Sequence, residues 1–166
     1  MYSVGAGADS FYEYLLKLNL LTQDQYPQLQ TMYNRFRREG LPALLRHSKK
    51  SGRYYLTEYY RTSNIHYLTM DHLSCFVPAM LALDGGDLWM AEELTTTCYT
   101  MYNSTITGLA AEVSMMEHEQ IKAWQTHFIL RPETVESLFV MYRQTGNETY
   151  RQWGWNIFSA MEEHLQ

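Results

Sequence analysis

Ile129-Leu130-Arg131-Pro132-Glu133-Thr134-Val135-Glu136-Ser137-Leu138-Phe139 places one cation and two carboxylates at the mouth of a helix. Proline suits the first helical position, where its fixed φ fits and its missing N–H would be unpaired anyway, so the spacing predicts a helix over Pro132–Gln144. Glu133 and Glu136 are three residues apart and share one face of the first turns. The unpaired N–H groups and partial positive charge of a helix entrance favour ionised carboxylates there. Arg131, just outside, adds a forked donor able to hold a carboxylate or a polar ligand. On spacing alone this is either an ordinary solvated cap or a site that uses the charges.

A second stretch has the same grammar. In Gly5-Ala6-Gly7-Ala8-Asp9-Ser10-Phe11-Tyr12-Glu13-Tyr14-Leu15-Leu16-Lys17 a loop of small residues leads to an acid at a helix entrance. Ser10 and Glu13 fit the Ser-x-x-Glu capping box, which leaves Asp9 unused by the cap. Both stretches resemble class I α-1,2-mannosidases, glycoside hydrolase family 47, which trim high-mannose N-glycans and carry these two motifs in the catalytic centre. Three further segments extend the resemblance in family order. Met70-Asp71-His72-Leu73-Ser74-Cys75-Phe76 and Thr97-Cys98-Tyr99-Thr100-Met101-Tyr102 are similar to the segments that contribute the family's disulfide. Thr107-Gly108-Leu109-Ala110-Ala111-Glu112-Val113 resembles the loop that follows, with its acidic residue. Tyr142-Arg143-Gln144-Thr145-Gly146 and Tyr150-Arg151-Gln152-Trp153-Gly154-Trp155-Asn156-Ile157-Phe158 match the helical hairpin after the Arg-Pro-Glu motif.

The resemblance implies an all-α fold with a minor β-hairpin, part of an (α/α)7 barrel and about three of its seven helical hairpins. It implies that residues 1–166 are the central part of one catalytic domain, incomplete at both ends. It also implies an inverting hydrolase that removes terminal α-1,2-linked mannose from high-mannose N-glycans on glycoproteins. Glu133 matches the family's proposed catalytic base, Asp9 the acid of the Ala-Asp-Ser motif, and Glu112 the acid of the Pro-Glu loop. Glu13, His72, Arg131 and Glu136 fall at positions lining the sugar cleft. The family's acid glutamate and its calcium-holding threonine lie outside this chain, so Ca2+ is an implied cofactor with no metal ligand expected among these residues, and the chain alone is expected to be inactive. Gly7 stands where the endoplasmic-reticulum enzymes carry arginine, which resembles the Golgi-type or secreted fungal enzymes and implies broader trimming. Ala111 replaces the usual proline before Glu112.

Composition agrees with a globular domain and argues against a nucleic-acid-binding one. At 46% hydrophobic and 19% charged the chain has material for a core. A net charge of −5 without clustered Lys and Arg argues against a nucleic-acid partner. The run from Arg46 to Arg53 is interrupted by His47, Ser48, Ser51 and Gly52 and reads as a solvated loop. No run reaches the ~18 apolar residues of a membrane span, so any anchoring is expected only through a segment not included here. Cys75 and Cys98 permit one pairing, on neighbouring predicted helices, which would restrict the unfolded chain by roughly 3 kcal/mol. Two sequons, at Asn103 and Asn147, point with that pairing to glycosylation and to the secretory pathway: Golgi or endoplasmic reticulum lumen, under a type II membrane parent, or secretion. No phosphate loop, CxxC, HExxH or GxSxG motif appears, and the six histidines show no paired ligand spacing.

Along the chain, residues 9–21 predict an amphipathic helix with Phe11, Tyr14, Leu15, Leu18 and Leu21 on its buried side. Tyr26 to Glu39 predicts a second, closed by Gly40, and Leu41–Arg46 a short helical piece. Tyr54–Tyr60 and Ile65–Leu68 are β-prone runs flanking a polar turn, a hairpin by pattern. Helices are expected at His72–Leu83, at Leu88–Asn103 capped by Asp87, and at Glu148–Leu165, with 107–124 mostly loop. Two other functions fit the same pattern: a mannosidase-like glycan-binding protein of glycoprotein quality control, and an α-helical repeat scaffold for protein partners.

Overall fold

The computed structural model describes residues 2–116 and 121–165, so Glu117, His118 and Glu119 of the expected 107–124 loop lie outside the described residues. The first helix pair is α1 (Asp9–Leu21) and α2 (Pro27–Arg35), continued by a π-helical turn, Phe36–Gly40, and by α3 (Leu41–Leu44). Short strands follow: β1 (Leu45–His47) pairs antiparallel with β2 (Tyr54–Leu56), and β3 (Tyr59–Tyr60) with β4 (Ile65–His66). β5 (Thr69–Asp71) runs into a 3-10 turn, His72–Phe76, which leads to α4 (Val77–Asp84) and α5 (Leu88–Asn103). β6 (Val113–Met115) and β7 (Lys122–Gln125) complete an antiparallel sheet in the order β5-β6-β7. The third helix pair is α6 (Glu133–Thr145) and α7 (Glu148–His164).

α4 sits at the centre because its sequence has no polar face: Val77 to Leu81 and Ala82 are all buried, against α5 on one side and α6 on the other. α5 buries Met90, Leu94, Cys98 and Met101, the stripe its spacing predicts, and Asp87 caps it by accepting from Met90 N–H. Cys75 and Cys98 form a disulfide that joins the 3-10 turn to α5, with Cα atoms 5.9 Å apart. Gly85 and Gly146 end α4 and α6 in left-handed conformation, and Asn147 caps α7 by accepting from Thr149 N–H. Among the described residues no helix is long and apolar enough to cross a membrane.

Three expectations need correction and a fourth needs completing. α1 has the predicted bounds but buries Leu15, Leu16 and Asn19, while Phe11, Tyr14, Leu18 and Leu21 stay exposed. Its rotation is set by Tyr12, which stacks on Phe36 with ring centroids 4.2 Å apart, a contact that periodicity within α1 does not encode. The predicted helical piece over Leu41–Arg46 stops at Leu44, where Leu45 turns extended. Tyr54–Leu56 then pairs back with Leu45–His47 rather than forward, so only Tyr59–Tyr60 and Ile65–His66 form the expected hairpin. The 107–124 segment is loop over most of its described residues, as expected, but it also carries Val113–Met115, the middle strand of a sheet whose partner lies more than forty positions earlier in the chain.

Candidate active site

The sheet and two helix entrances converge on Asp71 and His72. Pairing of β5 with β6 sets Asp71 opposite Val113, and one step further the His72 N–H donates to the Glu112 carbonyl at 2.9 Å. Glu112 N–H is shared between the carbonyls of Gln125 and His127, so the backbone of the Glu112 loop is held from both sides. From the other direction, Asp71 Oδ1 accepts from Leu73 N–H and caps the 3-10 turn, while Oδ2 accepts from Ala6 N–H at 3.1 Å. The second bond ties the small-residue loop before α1 to the sheet. Gly5 is required there, because a Cβ at that position would lie 2.7 Å from Asp71 Oδ2. Gly7 has φ +84°, and Ala8 and Asp9 both donate to the Gly5 carbonyl, so the loop turns tightly into the helix.

Glu133 opens α6. Pro132 is its N-cap rather than its first residue, one position earlier than the proline rule places it. Glu133 Oε2 lies 3.1 Å from Nδ1 of His72, whose ring is buried. Arg131 does not fork Glu133. It grips Glu112 instead, with Nε 2.9 and 3.1 Å from the two carboxylate oxygens and Nη2 2.6 Å from Oε1. That pairing with Glu112 is the main reason the Arg131 pKa is raised, and the charges of Glu133 and Asp71 add to it. The guanidinium therefore sits in the field of three carboxylates, bonded to Glu112 and acting on Glu133 and Asp71 through space.

Glu13 and Glu136 are brought together by a residue the motif reading passed over. Lys17 Nζ bonds Glu13 at 2.5 Å and also pairs with Glu136, which links α1 to α6 across 119 positions of sequence. Glu13 is thus engaged one turn up the helix, and the Ser10/Glu13 capping box does not form: Ala8 is the N-cap and no side chain caps α1. The i,i+4 spacing of Glu13 and Lys17 was the available signal for half of this bridge. Glu58 was also missed. It is pushed above the ordinary carboxylate range by burial and by the charge of Asp71, against a hydrogen bond from Ser3.

Asp9 is half-buried as the first residue of α1, and its carboxylate takes no side-chain hydrogen bond among the described residues. The surface grooves of about 530 Å³, between α1, the π-helical turn and β3, and of about 640 Å³, along α7, are lined by residues other than Asp9, Glu112 and Glu133. The side chains of Glu112 and Glu133 are only 11% and 15% exposed. No group of three or more His, Cys, Asp or Glu that could hold a metal occurs among the described residues. Calcium needs six to eight oxygen ligands, so these side chains alone do not fit it. Both sequon asparagines are exposed, Asn103 at the last position of α5 and Asn147 at the N-cap of α7.

Comparison with known proteins places this geometry. The family model for glycosyl hydrolase family 47 matches residues 1–166. Mannosyl-oligosaccharide 1,2-alpha-mannosidase MNS1 of Arabidopsis thaliana is 42% identical over 96% of this chain, which spans 30% of that protein. The human endoplasmic reticulum mannosyl-oligosaccharide 1,2-alpha-mannosidase is 38% identical over 96% of the chain, covering 25% of its length. The chain thus spans about a quarter to a third of the curated relatives it matches. An alpha-1,2-mannosidase from Trichoderma reesei superposes with a TM-score of 0.86 at 22% identity, over 96% of this chain and 38% of that one. The three helix pairs are accordingly a section of an (α/α)7 barrel. Full-length agreement with the family model, the shared fold and the disposition of the two acidic helix entrances make this chain a member of glycosyl hydrolase family 47.

Proposed function

We propose that this chain is the central part of the catalytic domain of an inverting α-1,2-mannosidase acting on terminal mannose of high-mannose N-glycans. Support comes from mannosidases that match almost all of this chain while the chain covers only part of them. The observation that carries the chemistry is the setting of Glu133. It sits at a helix entrance, with one carboxylate oxygen engaged by a buried histidine and with Arg131 near enough to feel its charge. A general base needs that combination: ionised, oriented, and with a second oxygen left to take a proton from water.

In this reading Glu133 activates the water that attacks the anomeric carbon. Inversion requires space for that water, with the two working carboxyls roughly 6.5–9.5 Å apart. Asp9, at the neighbouring helix entrance, positions the leaving side or acts through water. Glu112, held by Arg131, is the third acid of the set. Glu13, His72, Arg131 and Glu136 line the cleft, with Glu13 and Glu136 kept in place by Lys17. Calcium, when bound in the complete domain, helps hold the terminal mannose through groups outside these residues. The disulfide, the exposed asparagines at 103 and 147 as glycosylation sites, and relatives of the endoplasmic reticulum support a lumenal or secreted protein with any membrane anchor outside this chain.

The test is Glu133→Gln in a complete catalytic domain that carries these residues. Turnover is expected to fall by at least about a hundredfold, while glycan binding measured by calorimetry stays within a few-fold, since base catalysis is removed with little change in shape. Unchanged turnover would strike Glu133 from the mechanism.

A further inference from the structure

His72 is more than a neighbour of Glu133. Its ring lies sealed between α5 and α6, and Nε2 is 2.8 Å from the Tyr102 hydroxyl and 3.2 Å from the Thr134 hydroxyl, while Nδ1 faces Glu133. His72, Tyr102 and Thr134 are each no more than 1% exposed, so no solvent competes for these bonds. An ionised carboxylate only accepts, so the Nδ1 that faces it carries the proton. A neutral imidazole has one proton, which leaves Nε2 a bare acceptor, and both groups that reach it are hydroxyls able to donate. The phenol of Tyr102 remains protonated, because burial first and the charges of Glu133 and Glu112 next push it up, against an opposing hydrogen bond from Thr134.

We infer that Tyr102 and Thr134 are positioning residues for Glu133, acting through His72. The Tyr102 hydroxyl, the nearer at 2.8 Å, donates to the single Nε2 lone pair with Thr134 beside it at 3.2 Å, which holds the ring in the Nδ1–H tautomer and so orients one carboxylate oxygen of Glu133. The opposite tautomer would set the Nδ1 lone pair against Glu133 Oε2, a repulsive contact in a site without water to relieve it. None of the motif segments singles out Thr134 for this role, and Tyr102 enters them only through the disulfide region. The consequence for turnover rests on the reading of Glu133 as the base. The tautomer itself does not.

Nitrogen-15 NMR of a complete catalytic domain that carries these residues, with labelled histidine, reads the tautomer directly. The expected signature at neutral pH is a pyrrole-like Nδ1 and a pyridine-like Nε2 for His72. Tyr102→Phe is expected to shift the ring toward a mixture of tautomers, Thr134→Val to do so more weakly, and Thr134→Ser to restore the original state. The unsubstituted domain and the two threonine variants keep the test decisive where Tyr102→Phe fails to fold. A His72 found as Nε2–H or as imidazolium, or a tautomer indifferent to both Tyr102→Phe and Thr134→Val, overturns the proposal. In the complete catalytic domain Tyr102→Phe is expected to lower kcat on the order of tenfold with KM unchanged, the scale seen when a hydrogen-bond partner behind a working group is lost. An unchanged kcat where Glu133→Gln abolishes turnover overturns the positioning role. An unchanged kcat in both variants overturns the reading of Glu133 on which that role rests.

Discussion

Glu58 shows how single side chains are held against their own preference. Burial and the charge of Asp71 raise its pKa in the folded chain, and the Ser3 hydrogen bond does not cancel them. Because the folded value is the higher one, the folded state binds more protons than the unfolded state above pH 4.5, the ordinary value. The favourable contribution is therefore fully present below that pH and is lost as pH rises through the folded pKa. Glu58→Gln is expected to be more stable than the parent chain at pH 7, with the gap closing as urea unfolding is repeated below pH 4.5. A gap that widens on acidification would show that Glu58 is not the strained group. Such a residue cannot be found by pattern, since its environment depends on Asp71 and Ser3 arriving from other segments. Asp9, Glu112 and Glu133 were legible because they stand in motifs. Arg131 was legible as a forked donor, but its actual partner, Glu112, depends on the sheet that carries the Glu112 loop alongside α6.

At the scale of elements, Lys17 is the clearest case of a bond that joins helices rather than decorating one. Burial alone would lower its pKa, but Glu13 and Glu136 together more than offset that and raise it, so Lys17 keeps its charge at least up to the ordinary lysine range. Lys17→Met leaves Glu13 and Glu136 facing each other between α1 and α6 without a cation. The expected loss is about 1–2 kcal/mol after allowance for partial exposure, or roughly 2–8 °C in Tm, and Lys17→Met/Glu136→Gln is expected to recover part of it. Equal Tm for the single and double variants would remove this contact from the α1–α6 packing. Helix positions were legible at this scale: α1 and α5 have the predicted bounds, α6 is shifted by one residue at both ends and α7 stops one residue short. Strands of two to four residues were not, because so short a run carries almost no periodicity and its pairing partner may lie far away in the chain.

For the whole molecule, the disulfide and the span of the chain give two further expectations. Cys75→Ala/Cys98→Ala removes a cross-link between the 3-10 turn and α5 and is expected to cost roughly 3 kcal/mol, read as a lowered urea midpoint relative to the oxidised chain. A midpoint equal to that of the oxidised chain would contradict it. The isolated 166-residue chain is expected to release no mannose from a Man9 glycan and to show no tight calcium binding by calorimetry, because it spans only about a quarter to a third of its relatives and its described residues include no metal cluster. Detectable mannose release would show that these acids suffice without the rest of a barrel.

The sequence by itself determined the helices, the cap at Asp87 and the family, together with the half-cystine pair that the resemblance implies, since local spacing and ordered motifs are properties of the chain read in line. Tertiary structure decided which face α1 buries, that Arg131 holds Glu112, that Lys17 bridges two helices, and that His72 is sealed between Tyr102 and Glu133. Each of these depends on contacts between segments distant in sequence, and a hydrogen bond or ion pair of this kind is specified by where packing brings the groups, not by their spacing along the chain.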